Sequence, residues 1–190
     1  MQREQEILNA AADLFHLRGY HATTVEDIAS AVGLKKGSLY HYITGKELLL
    51  KTLAEDTIQG YLDDALPIAD GGGSVSERLG RVIEAHVRRV CKAPERVTVL
   101  VREAHYVPDE LASDVRGRTS RYTHLLIDLI AEGVRSGEFA DTDPGVAGLM
   151  LLGALNWAHR WYQPDGRLTP EQIGRQFSRL FLRGLQRRGD

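Results

Sequence analysis

One cysteine, Cys91, is all the chain has, so no disulfide forms within it. Set in an apolar stretch, its thiol reads as a core group. No apolar run approaches the ~20 residues that a membrane-spanning helix needs. Charge of one sign is missing too. There are 24 Lys and Arg against 26 Asp and Glu, a formal net charge of -2, so bulk charge selects neither nucleic acid nor an acidic surface as partner. Alternating runs with hairpin turns are absent, which argues against a β-sheet. No nucleophile elbow or Cys/His arrangement appears, which argues against an enzyme. His86, His105, His124 and His159 fall on different predicted helices with no close pair, so neither a metal nor a cofactor is expected. The start, Met1-Gln2-Arg3-Glu4-Gln5, is polar and charged, unlike a signal peptide, and a cytoplasmic location is the expectation.

What is present is helical periodicity, with one segment that carries chemistry. In residues 24–46, Thr24 can cap a helix and Asp27 can cap back. Ile28, Ala31 and Val32 give one apolar face, and Ala29 is small enough for a close helix crossing. Gly33 stands where a turn needs a left-handed backbone, and Leu34 points inward after it. Leu39 and Ile43, spaced i, i+4, fit the inner face of a second helix. That leaves Lys35, Lys36, Gly37, Ser38, Tyr40, His41 and Tyr42 facing outward. These are donors, flat rings and one glycine, the groups with which a recognition helix meets phosphates and base edges. Residues 1–50 hold five Lys and Arg against six acids, but Gly33–Lys46 holds three lysines and no acid. The positive patch is therefore local. Ahead of it, Ile7, Ala11, Leu14 and Phe15 form one stripe, and Gly19 can end that helix.

These residues resemble the DNA-binding domain of the TetR family of bacterial transcriptional regulators. The matching stretches are Ala11-Ala12-Asp13-Leu14-Phe15, Gly19-Tyr20, Ala22-Thr23-Thr24-Val25, Asp27-Ile28-Ala29, Lys36-Gly37-Ser38-Leu39-Tyr40-His41-Tyr42 and Lys46-Glu47-Leu48-Leu49. Lys35 stands where the family usually has Ser or a similar cap, and Ile43-Thr44-Gly45 replaces a Phe-Pro-Ser type of sequence. The resemblance implies operator contacts from Thr24, Lys35, Lys36, Gly37, Ser38, Tyr40, His41, Tyr42 and Lys46. It also implies residues 1–46 as a helix-turn-helix DNA-binding domain and 47–190 as an effector-binding and dimerisation domain.

The rest of the chain reads as further helices, about nine in all, an all-α fold. One is predicted over 46–64, closed by Pro67 and Asp70-Gly71-Gly72-Gly73. Another starts near Ser74 or Ser76 and is broken at Ala93-Pro94. Two more span 95–106 and 110–136, the latter followed by Gly137. The next has Asp143 as cap and Pro144 at its first position, and runs to Tyr162. The last opens on the capping box Thr169-Pro170-Glu171-Gln172. The apolar girth of 146–157 and the stripe Ile173, Phe177, Leu180 and Phe181 suggest a homodimer face. Leu152, Leu155, Ile173, Phe177, Leu180 and Phe181 are its expected members. A two-fold dimer would set two recognition helices about 34–36 Å apart, or a multiple of that, to match palindromic operator DNA.

For an effector, Arg102, His105, Tyr106, Asn156, Trp157, Arg160 and Trp161 offer aromatic walls and donors for a mostly apolar, partly anionic molecule. The stretch from Asn156-Trp157 to Trp161-Tyr162, with Leu168-Thr169, Ile173, Phe177 and Gly184-Leu185, resembles a TetR subgroup controlling fatty-acid, aromatic-acid or steroid breakdown. That implies an acyl-CoA thioester as the effector that releases a repressor from DNA. Two alternatives stand beside it. One is a regulator of efflux responding to a hydrophobic or cationic drug, held by aromatics with Glu84, Glu103 or Asp128. The other is an α-helical ligand-binding protein with no DNA role.

Overall fold

The computed structural model describes residues 2–186. Nine α-helices and one 3-10 turn follow in order among the described residues: α1 (Gln2–Arg18), α2 (Val25–Ala31), α3 (Lys36–Leu39), α4 (Lys46–Ala69), α5 (Val75–Lys92), α6 (Pro94–Arg102), the 3-10 turn (Ala104–Tyr106), α7 (Ser113–Ser136), α8 (Pro144–Trp161) and α9 (Pro170–Leu185). Extended pairing among the described residues is a single antiparallel bridge between Phe139 and Gln186.

The local rules that start and stop these helices are visible in the caps. Thr24, Ser74 and Thr169 each accept the backbone N–H three residues on, and the residue there reaches back to the cap. Asp143 caps α8 in front of Pro144, whose missing N–H costs nothing at the first helical position. Gly19 and Gly33 have φ of 83° and 67°, the left-handed region that glycine enters without a Cβ clash. Three predicted boundaries differ. α4 continues through Pro67 to Ala69, since a proline removes one backbone bond without forbidding helical φ. The predicted helix over 95–106 is α6 to Arg102 followed by the 3-10 turn, and α7 starts at Ser113 rather than Glu110.

The described residues fall into two compact units. The first gathers the residues up to Ile58 together with Pro94–Gly117. Its core is Ile7, Ala11, Phe15, Ile28, Leu39, Leu50 and Leu53, with Val99, Val107 and Ala112 from the second segment. The compact unit is therefore larger than the span 1–46 drawn from the sequence. α1 packs on α2 and on α6, and α2 on α3. Arg3 donates to the Val32 carbonyl at 2.6 Å, which fixes the end of α2 against α1.

The second unit gathers Gln59–Ala93 and the described residues from Arg118 on. α5 lies against both α8 and α9. The crossing with α9 is close because its residues are small. A Cβ on Gly174 would sit 3.1 Å from Glu84 Cα, and one on Gly80 would sit 2.8 Å from Ser178 Oγ. Arg78 donates to the Ala69 carbonyl at 2.7 Å and pairs with Glu132. That ties the end of α4 and the start of α5 to α7.

Candidate nucleic-acid interface and effector residues

α2 and α3 present the outward groups that the sequence pattern demands. Leu39 and Ile43 are buried, while Lys35, Lys36, Gly37, Tyr40, His41 and Tyr42 are exposed and Ser38 is half-buried. Tyr42 keeps 46% of its surface open although it is a large ring. α3 itself is one turn, but its carbonyls go on accepting from the backbone N–H groups of His41 and Tyr42, so those side chains are held by ordered backbone. Lys36 pairs with Glu26 at 2.9 Å, with both side chains exposed. A pair in water is worth little, so its ammonium can exchange Glu26 for a phosphate. A Cβ on Gly37 would meet nothing within 4 Å, so nothing inside the protein requires glycine there. Thr24 is exposed and its hydroxyl is engaged with Asp27 at 2.6 Å. That bond, with the Thr24 backbone N–H, holds the Asp27 carboxyl below its ordinary pKa.

Lys46 differs from its expected role. Its ammonium donates to the carbonyls of Tyr20 and Thr23 at 2.9 and 3.0 Å and sits 4.3 Å over the Tyr20 ring. It fastens the start of α4 to the turn after α1. It is half-buried and is not part of the outer lysine patch. Burial, then Glu47, pushes the Tyr20 phenol up to about 12.

The expected effector wall does not assemble within either unit. Arg102, His105 and Tyr106 belong to the first. There Tyr106 stacks on Tyr20 at 5.7 Å and meets His21 at 4.2 Å, and His105 lies at 3.9 Å from Tyr106. The buried Glu103 carboxylate accepts the Tyr20 N–H at 3.3 Å, a structural task that leaves it unsuited to holding a cationic drug. Trp157, Arg160 and Trp161 are on the open side of α8 in the second unit. Arg160 lies over the Trp157 ring at 5.8 Å and Trp161 stacks on Phe177 at 6.2 Å. Asn156 alone of the seven is half-buried.

That open side has a composition of its own. Val146, Leu149, Met150, Trp157 and Trp161 of α8 and Leu180 of α9 are exposed large apolar groups, Met150 at 68% and Leu180 at 69%. Of the expected interface set, Leu152, Phe177, Leu180 and Phe181 are half-buried or exposed. Leu155 and Ile173 are buried in the unit's own core, where they cannot reach a partner. The period of α8 runs one position away from the predicted face, so Leu149 and Met150 were missed. A continuous apolar helix hides which side is covered.

A buried group that sequence reasoning did not single out lies in the same unit. His86 Nδ1 is 2.8 Å from the Tyr122 hydroxyl, and Tyr61 stacks on the imidazole at 4.3 Å. All three are buried. Burial drives the His86 pKa down to about 3, opposed in part by the Asn156 side chain, so the ring is neutral at pH 7. Cys91 is buried and burial pushes its thiol up to about 11. That is the setting of an unreactive thiol. Among the described residues no three His, Cys, Asp or Glu gather into a metal site, and no helix is long and apolar enough to cross a membrane.

Comparison with known proteins agrees with this geometry. Residues 7–53 match the bacterial regulatory proteins of the tetR family, and residues 72–185 match the tetracyclin repressor-like C-terminal domain. The chain is 31% identical to the HTH-type transcriptional repressor KstR2 of Mycolicibacterium smegmatis, over 99% of this chain and 93% of that one. The structure of the ketosteroid transcriptional regulator KstR2 of Mycobacterium tuberculosis superposes with a TM-score of 0.91 at 28% identity, covering 98% and 96% of the two chains. AibR, solved in complex with isovaleryl coenzyme A and operator DNA, superposes with a TM-score of 0.84 at 27% identity, over 97% of this chain and 98% of that one.

Proposed function

The chain belongs to the TetR family of bacterial regulatory proteins, and from that premise we propose how it works as a ligand-responsive transcriptional repressor. It is a regulator and not an enzyme. Residues 1–46 carry the helix-turn-helix, and 47–190 bind the effector and dimerise. Thr24, Lys35, Lys36, Gly37, Ser38, Tyr40, His41 and Tyr42 contact a palindromic operator. Lys36, Gly37 and Ser38 stand nearest the base edges, and His41 and Tyr42 nearest the phosphates. A second copy of the chain covers the open face of α8 and α9, hiding Leu149, Met150, Trp157 and Leu180. Burying large apolar groups of that kind contributes about 1.5–3 kcal/mol each.

The effector is an acyl-CoA thioester. The observation that carries this is the whole-length likeness to a regulator solved with isovaleryl coenzyme A and operator DNA together. Arg160, exposed at the end of α8, suits the anionic part of such a molecule. The thioester releases DNA only if it binds better to a dimer whose half-site spacing is wrong. A gel shift on the DNA upstream of the chain's own gene, with and without a long-chain acyl-CoA, tests both parts. Specific binding lost on adding the thioester is expected. Binding indifferent to it would remove the effector assignment and keep the regulator.

A further inference from the structure

Four helices of the second unit each send one polar residue to the same buried point. Tyr61 comes from α4, His86 from α5, Tyr122 from α7 and Asn156 from α8. Tyr122 and His86 Nδ1 satisfy each other at 2.8 Å. The Tyr61 hydroxyl and His86 Nε2 have no hydrogen-bond partner among the described residues; Asn156 influences the imidazole without a bond of good geometry. Buried polar atoms without partners are rare and costly. Nothing in the packing of the unit needs either one, since phenylalanine or leucine would fill the same volume without that cost.

We propose that Tyr61, His86 and Asn156 form the hydrogen-bonding end of a small-molecule site that takes a neutral oxygen, a ketone or hydroxyl, on an otherwise apolar ligand. The chemistry selects the class. The groups on offer are a phenol, a neutral imidazole and an amide. The cation beside them, Arg89, is held by Asp64 at 2.7 Å. A carboxylate or phosphate would be buried here without a free counter-charge, which is far costlier than burying a carbonyl. The stacked rings of Tyr61, His86 and Tyr122 supply an apolar wall around the polar end. This site rests on the effector-responsive reading above only in that a small molecule enters this unit. It concerns the apolar part of the ligand and not coenzyme A.

The probe is 2-decalone, a bicyclic ketone without coenzyme A, with decalin as the matched hydrocarbon. The readout is the ring 15N resonance of His86 in the full-length protein, assigned by its loss in His86→Phe. The ketone is expected to bind and move that resonance, decalin to leave it in place. Tyr61→Phe removes only a hydroxyl without a partner, so it leaves Tm unchanged or raised while weakening the ketone about tenfold. Failure of the ketone to bind would overturn the site, as would binding that leaves His86 unmoved, equal shifts with decalin, or equal affinity in Tyr61→Phe. Because the probe lacks a thioester, an acyl-CoA that fails in the gel shift leaves this result standing, and the reverse holds too.

Discussion

Replacing Lys46 by methionine separates two roles that one lysine could play. The change keeps most of the side-chain length and removes the ammonium that donates to Tyr20 and Thr23 and covers the Tyr20 ring. Hydrogen bonds to a charged group are worth about 1.5–3 kcal/mol each when well buried, and a half-buried ammonium earns less. The Tyr20 carbonyl keeps the Thr23 N–H at 3.3 Å, so the Thr23 carbonyl bears most of the loss. A total near 2 kcal/mol follows, which lowers Tm by roughly 4–8 °C for a chain of this size. If Lys46 neutralised a phosphate, its loss would instead reduce the slope of log affinity against log salt by about 0.9. Thermal unfolding and an operator titration at four salt concentrations measure both quantities. The structure demands a lowered Tm with an unchanged salt slope. An unchanged Tm with a slope reduced by about one would show that the lysine leaves its carbonyls for DNA, and the reasoning would fail.

Four further changes test the two units. Tyr42→Ala should weaken operator binding tenfold or more while unfolding within about 0.5 kcal/mol of the parent, as for other exposed sites; wild-type affinity in a gel shift would take Tyr42 off the DNA. Gly37→Ala should stabilise the protein by about 0.5–1 kcal/mol, since glycine is a poor helix former and a Cβ meets open space, yet lose operator affinity; unimpaired binding would mean that DNA does not approach that backbone. Arg160→Ala should spare operator binding and weaken release by an acyl-CoA, and an unchanged release curve would return Arg160 to the solvent. The Glu138 carboxyl accepts from the Ser76 and Val75 backbone N–H groups, which lowers its pKa below the ordinary 4.5; its stabilising contribution is full above that value and disappears as pH falls through the folded-state pKa, so Glu138→Gln should be less stable at neutral pH and show a shallower acid limb in pH-dependent melting.

What could be read in advance was governed by range. Helix starts depend on three or four consecutive residues, and Thr24-Asp27, Asp143-Pro144 and Thr169-Gln172 announced theirs correctly. The turn at Gly33 and the buried pair Leu39 and Ile43 are equally local. The misreadings all involve partners far along the chain. Lys46 lies next to basic residues in sequence, but its partners are 23 and 26 residues away. Tyr106 looks like a pocket aromatic until Tyr20 and His21 are brought beside it. His86 and Tyr122 are 36 residues apart, and no spacing rule links them to Tyr61. On α8 the difficulty was different: a helix apolar on nearly every side carries no periodic signal to say which residues turn inward.

The core beneath the helix-turn-helix borrows Val99, Val107 and Ala112 from a segment that the chain reaches only after leaving through Gln59–Ala93. The operator reader is consequently not a cassette. A chimaera that splices residues 1–46 onto a different sensor would arrive with part of its interior missing, and would have to rebuild those three positions from the recipient. Graft junctions should therefore carry 94–117 along with the N-terminal segment. By the same logic, substitutions that alter sequence preference are freest on α3, while those in 94–117 are answerable to a core they do not adjoin in sequence.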